Sequence, residues 1–353
     1  MISIAILGAG RWGNHLIRNF LAQDRAQVAA IVDPSQEKLD EIRDRYALPP
    51  EIALLKDWRS ILDPNAPSPV TIDLNAIVVA TPAVTHTAIV EAALLNQLHV
   101  LAEKPLALTV QEAQYLTTLA QQQHRQLVID HTYLFHGAVA AGAAAVAQLG
   151  TLRYGYATRT NLGPVRLDVD ALWDLAIHDL AIFGQWLGEL PCQVQAQGHT
   201  WLPNPGPSSQ PSDDPGLADL VWAKLRYPSG MTVQCHWCWH NPDKQRRLAL
   251  VGDQGTLIFD ELAPQPLVLQ RGSFQASADF PFVPTGLASA NLDFDSQEPL
   301  AAVCSHFLDC VEANQPSPRS PGPIAVGLIT ILMALSQSLR NGGTWETVNL
   351  PSR

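Results

Sequence analysis

The spacing of hydrophobic and polar positions changes in a regular way along this chain. Ile2–Leu7 is a short continuous apolar run, and Asn14–Gln23 then places Leu16, Ile17, Phe20 and Leu21 at helical spacing. Val28–Val32 is a second apolar run. Ser35–Tyr46 returns to the helical period, with Leu39 and Ile42 on one face. After a proline-rich loop at 63–71 come three more buried-strand runs, Ala76–Ala80, His99–Ala102 and Leu127–Asp130, separated by the helical stretches Thr85–Leu95 and Thr109–Gln123. Strands that alternate with helices predict right-handed βαβ units and a parallel sheet. Such sheets bind ligands at the carboxyl ends of their strands. That rule lines up Gly8–Gly13, Asp33, Thr81-Pro82, Glu103–Pro105 and His131 along one edge.

Past residue 130 the pattern changes. An alanine-rich helix at 137–149 is closed by Gly150, and Leu152–Arg159 alternates as a strand. Asp170–Leu187 reads as a mostly apolar helix with Asp170 as N-cap and Gly188 as stop. Gln193–Gly198, Asp219–Arg226, Met231–His240, Arg247–Val251 and Thr256–Asp260 follow as strands with no helices between them, which predicts an antiparallel sheet. One face packs on the Asp170 helix. The other reads as alternately apolar and predicts a partner subunit, as a homodimer or homotetramer. Leu202–Gly216 reads as a mobile hairpin loop and Pro264–Gln297 as irregular, and Leu300–Glu312 and Ile324–Arg340 close the chain as helices. The expected fold is therefore an α/β Rossmann parallel sheet over 1–130, followed by an α+β domain over 131–353. The second domain carries a large, mostly antiparallel, open-faced sheet, and the C-terminal helix is free to pack back on the first domain.

Composition narrows the partners. A chain of 353 residues with 47% apolar and 16% charged residues is globular and long enough for two domains. Its net charge of −11, without a basic run, excludes nucleic acid as the expected partner. Five sparse cysteines suit a reduced, intracellular setting better than a disulfide framework. Residues 2–7 lead into the glycine turn with no basic segment before them, and the Ile324–Leu335 run is too short to span a bilayer. The expectation is a cytoplasmic protein that does not engage a membrane.

Gly8-Ala9-Gly10-Arg11-Trp12-Gly13 gives the first chemistry. It lies between strand and helix, the context that turns a G-x-G-x-x-G match into a dinucleotide site. Gly8 permits the tight turn, Gly10 admits a pyrophosphate to the backbone, and Gly13 lets the helix pack close. The N–H groups at the helix start then face the phosphates. Asp33, twenty residues past Gly13, suits the ribose hydroxyls and repels a 2′-phosphate, so NAD is the expected cofactor. Arg11 could pair with that phosphate, which leaves NADP open. In the second domain Asp174 and His178 are four apart on one helix face, where a carboxylate fixes the tautomer of an imidazole. Cys235 and Cys238 lie in a strand pattern that points them to opposite faces, so no metal site is expected. Lys244, Arg246 and Arg247 form a basic cluster, either a solvated turn or an anion contact.

Ala80-Thr81-Pro82 with His86, then Glu103-Lys104-Pro105, complete a pattern that resembles the Gfo/Idh/MocA oxidoreductases over nearly the whole chain. Trp173–Asp179 resembles that family's Asp-x-Gly-x-x-His signature in relaxed form, with Ala176 where glycine is usual. The resemblance implies that Lys104 lies beside the nicotinamide and the substrate hydroxyl, and that the helix points Asp174 and His178 at the substrate. It adds Thr81, Pro82, His86 and Glu103 to the cofactor-binding set of Gly8, Gly10, Arg11, Trp12, Gly13, Asp33 and Lys104. The implied reaction moves a hydride between nicotinamide and a secondary alcohol or ketone of a sugar-like molecule. Lys104 and His178 can exchange the roles of proton carrier and oxygen-polarising group. Asn161–Arg166, Trp173–Ala176 and Trp239–Lys244 resemble the branch that oxidises nucleotide-linked amino-sugar uronates, for which His131, Tyr133, Arg159, Arg166 and Lys244 are the substrate-contact candidates. Two alternatives stay open: a catalytically silent NAD-binding sensor, and a reductase of a C=N bond or a tetrapyrrole on the same fold.

Overall fold

The computed structural model describes residues 1–166, 168–202, 217–277 and 281–350. Its first elements in chain order are β1 (Ile2–Leu7), α1 (Arg11–Leu21), β2 (Ala26–Val32), α2 (Gln36–Tyr46), β3 (Ala53–Leu55), α3 (Arg59–Leu62), β4 (Ala76–Val79), α4 (His86–Leu95), β5 (His99–Glu103), α5 (Val110–Gln122) and β6 (Leu127–Asp130). Then come α6 (Gly137–Ala145), β7 (Leu152–Leu162), a π-helical turn at Leu172–Ala176 and α7 (Ile177–Leu187). The remainder is β8 (Gln193–His199), β9 (Leu220–Arg226), β10 (Thr232–Cys238), β11 (His240–Gly252), β12 (Gly255–Asp260), β13 (Leu267–Gln275), β14 (Val283–Asn291), α8 (Pro299–Ala313), α9 (Gly322–Arg340) and β15 (Glu346–Thr347).

The chain divides into two compact units, and both are discontinuous. One is Met1–Phe135 with Gln297–Ile329; the other is His136–Ser296 with Thr330–Arg353. The sequence places a boundary after residue 130 with the C-terminal helix free to pack back; here α8 and the first part of α9, through Ile329, group with the first unit. The first unit reclaims α8 because Phe307 meets Phe20 of α1 edge to face and Arg25 bonds Asp309, Glu312 and Ser305.

The first unit holds a six-stranded sheet in the order β3-β2-β1-β4-β5-β6, parallel in every pair. Every residue of β4, β5 and β6 is buried, as continuous apolar runs demand of a sheet covered on both faces. Strand order reverses between β1 and β4, and such a switch point opens a crevice at the carboxyl ends.

The second unit holds a nine-stranded sheet, β14-β13-β12-β11-β7-β10-β9-β8-β15, with β7–β10 as its parallel pair. Val221, Ala223, Leu225, Val233, Cys235, Trp237, Leu248 and Leu250 are buried on one face. The opposite face is mixed rather than alternately apolar. Trp222 is 55% exposed and stacks on His236 at 4.0 Å, Tyr154 is 49% exposed, and Gln195 and Lys224 lie among them. The 264–297 stretch, read as irregular, carries β13 and β14. β14 is exposed along almost its whole length, so an edge strand like this shows no apolar alternation. β11 begins at His240, which puts Lys244, Arg246 and Arg247 in a strand rather than a turn, with Lys244 inside the register shift between His240 and Gln245 and the two arginines past it. The loop expected at 202–216 lies, beyond Leu202, outside the described residues. The Ile324–Leu335 run is part of a 19-residue helix, long and apolar enough by length and composition to cross a membrane. Its Leu328, Ile329, Ile331, Leu332 and Leu335 are buried within the protein, as in a core helix.

Candidate active site

The glycine turn is shaped by close approach. Gly8 has φ +102°, and a Cβ there would meet Ala80 O at 2.4 Å; one on Gly13 would meet Gly8 O at 1.9 Å. Gly10 is different, since a Cβ on it would meet nothing within 4 Å. That open space lies where α1 begins. Asn14 donates to Gly10 O, so the N–H groups of Arg11, Trp12 and Gly13 precede the first intrahelical bond. Backbone donors beside an open cradle fit a pyrophosphate. Asp33, buried at the end of β2, accepts from Ala9 N–H at 2.8 Å and from Ser35 N–H at 2.9 Å. It therefore holds the turn in place. Lys38 Nζ stands 3.8 Å from it.

His86 was expected among the cofactor contacts, but it is 1% exposed. Its ring nitrogens lie 2.8 Å from Pro105 O and 2.9 Å from Thr81 O. It serves the site by tying the Thr81-Pro82 turn to the Glu103-Lys104-Pro105 turn. Lys104, 8% exposed, directly follows β5, and the Lys104–Pro105 bond is cis. Glu103 turns inward and accepts from Lys104 N–H. His131, a substrate-contact candidate, is likewise buried: its Nδ1 lies 2.8 Å from Ser320 Oγ. Burial, and then the Lys104 charge, lower its pKa to about 3. Tyr133 is half-buried in a short turn at 132–135.

In the second unit, the π-helical turn carries Asp174 and α7 carries His178. Asp170 caps this segment by accepting from Trp173 N–H at 2.9 Å, and burial lifts its pKa to about 6. Asp174 Oδ2 accepts from Trp239 Nε1 at 3.3 Å, and Asp174 Oδ1 lies 3.4 Å from Arg166 Nη1. Arg166 also grips Asp168 through Nε at 2.9 Å and Nη2 at 2.6 Å, which pulls the Asp168 pKa down. Arg246 donates to Asn161 Oδ1 at 2.8 Å and ties the 161–166 loop to β11. The three stretches singled out in the sequence, 161–166, 173–176 and 239–244, thus meet around Asp174. Lys244 is exposed, and His178 is half-buried.

Arg159 is the clearest correction. It was read as a substrate contact, yet Arg159 and Asp179 are each 2% exposed and bound to each other. Asp179 Oδ1 accepts from Arg159 Nε at 3.0 Å and Nη2 at 2.7 Å, and Oδ2 accepts from Trp237 Nε1 at 2.8 Å. The pair anchors α7, next to His178, onto the sheet. Parity could have found it. Arg159 shares the inward face of β7 with Gly155 and Ala157, and Asp179 sits among the apolar residues of its helix. All five cysteines are free, and no metal-binding cluster occurs among the described residues.

A glycine cradle at a Rossmann switch point, with a second, sheet-bearing unit, defines a class of nicotinamide-dependent oxidoreductases. The chain belongs to the GFO/IDH/MocA family. The model of that oxidoreductase family's NAD-binding Rossmann fold matches residues 2–131, and that of its C-terminal domain matches 138–258. UDP-N-acetylglucosamine 3-dehydrogenase of Acidithiobacillus ferrooxidans is 26% identical over 315 residues, which cover 88% of this chain and 89% of that protein. The structure of that enzyme superposes with a TM-score of 0.78 at 22% identity, over 97% of this chain and 98% of that one. An inositol dehydrogenase homologue of Azotobacter vinelandii, complexed with NAD+, gives 0.77 at 20% identity, over 98% and 97% of the two chains.

Proposed function

We propose that this protein is an NAD-dependent dehydrogenase that oxidises a secondary alcohol on a nucleotide-linked sugar. The observation that carries the reading is the meeting of Arg166, Asp174 and Trp239 beside the helix of His178, with carboxylate, guanidinium and indole groups suited to a hydroxyl-rich ring. Bound NAD supplies the hydride acceptor. The turn of Gly8–Gly13 holds the pyrophosphate and Asp33 the adenosine ribose. His178 takes the hydroxyl proton, with Asp174 as its orienting carboxylate, and Lys104 steadies the developing alkoxide; the exchanged roles of Lys104 and His178 give the same stoichiometry. Arg166 already faces two carboxylates, Asp168 and Asp174, so its charge is largely answered within the protein. That favours a neutral sugar ring at this point over a uronate. Exposed Trp222 and Tyr154 support a homo-oligomer through the open sheet face, and the free cysteines support a cytoplasmic setting.

The test is NADH formation from UDP-N-acetylglucosamine, its uronate, glucose and myo-inositol under one set of conditions. The nucleotide-linked substrates should lead in kcat/KM. Equal rates across all four would sink the nucleotide-sugar reading and leave a plain polyol dehydrogenase.

A further inference from the structure

Buried polar groups nearly always find partners, so those that do not require a physical reason. Five buried side-chain atoms among the described residues have none, and three of them belong to consecutive strand ends: Glu103 Oε1, Asp130 Oδ2 and His131 Nε2. Glu103 and Asp130 end β5 and β6 and are direct partners in the parallel register. Their carboxyls lie within hydrogen-bonding reach of each other. Both are buried. The remaining contacts are assigned: Glu103 Oε2 accepts from Lys104 N–H, and Asp130 Oδ1 accepts from Thr132 Oγ1 at 2.8 Å.

Two carboxylates in this arrangement would repel at close range in a poorly solvating site. Neither orphaned oxygen has a donor from the protein. One proton between them supplies the donor that both lack. The other neighbours do not offer an alternative. Ser320 uses its hydroxyl proton on Ile129 O, so His131 donates to Ser320 through Nδ1 and its Nε2 is an acceptor. Cys304 of α8 also feels both acids, and burial holds its thiol protonated; Glu298 and Arg18 act on that thiol from further along the unit. Lys104 is the cation that faces the group.

We propose that Glu103 and Asp130 share a single resident proton, and that this acid pair is a positioning device which presents one negative charge, not two, to Lys104. Burial and the Asp130 charge raise the Glu103 pKa well above the ordinary carboxylate range, which makes Glu103 the holder of the proton. A second ionised carboxylate would hold the Lys104 ammonium more tightly and impede proton exchange with substrate. This consequence rests on the catalytic reading of Lys104; the shared proton itself does not.

Infrared difference spectroscopy of the full chain tests the proton directly. The wild type minus Glu103→Gln spectrum at neutral pH should contain the carbonyl stretch of a protonated carboxylic acid, shifted by D2O. Its absence overturns the proposal, whatever the substrate proves to be. The positioning role is read from the pH profile of kcat/KM. In the double variant Glu103→Gln, Asp130→Asn, which replaces both acids by near-isosteric amides, one limb of the profile should move to lower pH. An unmoved limb overturns the positioning role. If the band is present while Lys104→Met turns over normally, the shared proton stands and the catalytic reading of Lys104 fails.

Discussion

Asp179→Ala is the most informative single perturbation of the second unit. It removes the carboxylate that accepts from Arg159 Nε and Nη2 and strips Trp237 Nε1 of its acceptor, both inside the protein. Breaking a buried pair by deleting one partner costs about 3–5 kcal/mol. At roughly 2–4 °C per kcal/mol for a unit of this size, the melting transition should fall by about 6–20 °C. Arg159→Met in the wild-type background should cost a similar amount by leaving Asp179 uncompensated. The double variant Arg159→Met, Asp179→Leu should recover most of the loss, since apolar replacements of matching volume often equal or exceed a buried ion pair. Calorimetry or circular dichroism of the four proteins reads each of these changes. If Asp179→Ala costs under about 1 kcal/mol, the pair behaves like an exposed one. The anchoring of α7 by Arg159 would then be wrong. Because Asp179 adjoins His178, the folded fraction of Asp179→Asn should also show reduced kcat with NAD affinity retained.

Other expectations follow from the same geometry. Lys104→Met and His178→Asn should each lower kcat by about 10²–10⁴, with NAD affinity by fluorescence titration nearly unchanged; full turnover in both would make the constellation structural. Wild type should bind NADH more tightly than NADPH, and Asp33→Ala should weaken NADH because the Ala9 N–H loses its partner along with the ribose; tighter NADPH in wild type would overturn the role of Asp33. His131 is neutral when folded, with a pKa of about 3 against about 6.5 unfolded, so its contribution to stability is complete above pH 6.5 and is lost as pH falls towards 3. Between pH 6.5 and 4 that loss is about 3 kcal/mol, and urea titrations should show a flatter acid limb in His131→Asn than in wild type.

The parallel sheet and its ligand edge were legible because a strand buried on both faces is written as a continuous apolar run, and Gly8–Gly13 follows one immediately. The helix of Asp174 and His178 was legible by its period, although its first turn is π-helical, a distinction that side-chain periodicity does not carry. What escaped was pairing. His86 was read as a ligand contact from the family resemblance, and Arg159 and His131 from their places near a loop and at a strand end. Each instead has a partner distant in sequence: Asp179 on α7, the Pro105 carbonyl, Ser320 before α9. Those distances run from 19 to 189 residues, so no local window contains both members. The β14 edge was missed for a related reason, since most of its residues are exposed and carry no apolar pattern. The sites that sequence assigned most directly, Gly8, Gly10, Gly13 and Asp33, are those in which one βαβ unit supplies every part. Where a polar residue sits at an inward position of a strand or helix, the first question is therefore which buried opposite charge or carbonyl it meets. Exposed Lys244 has no such match to find, so solvent and an anion contact both remain explanations of it.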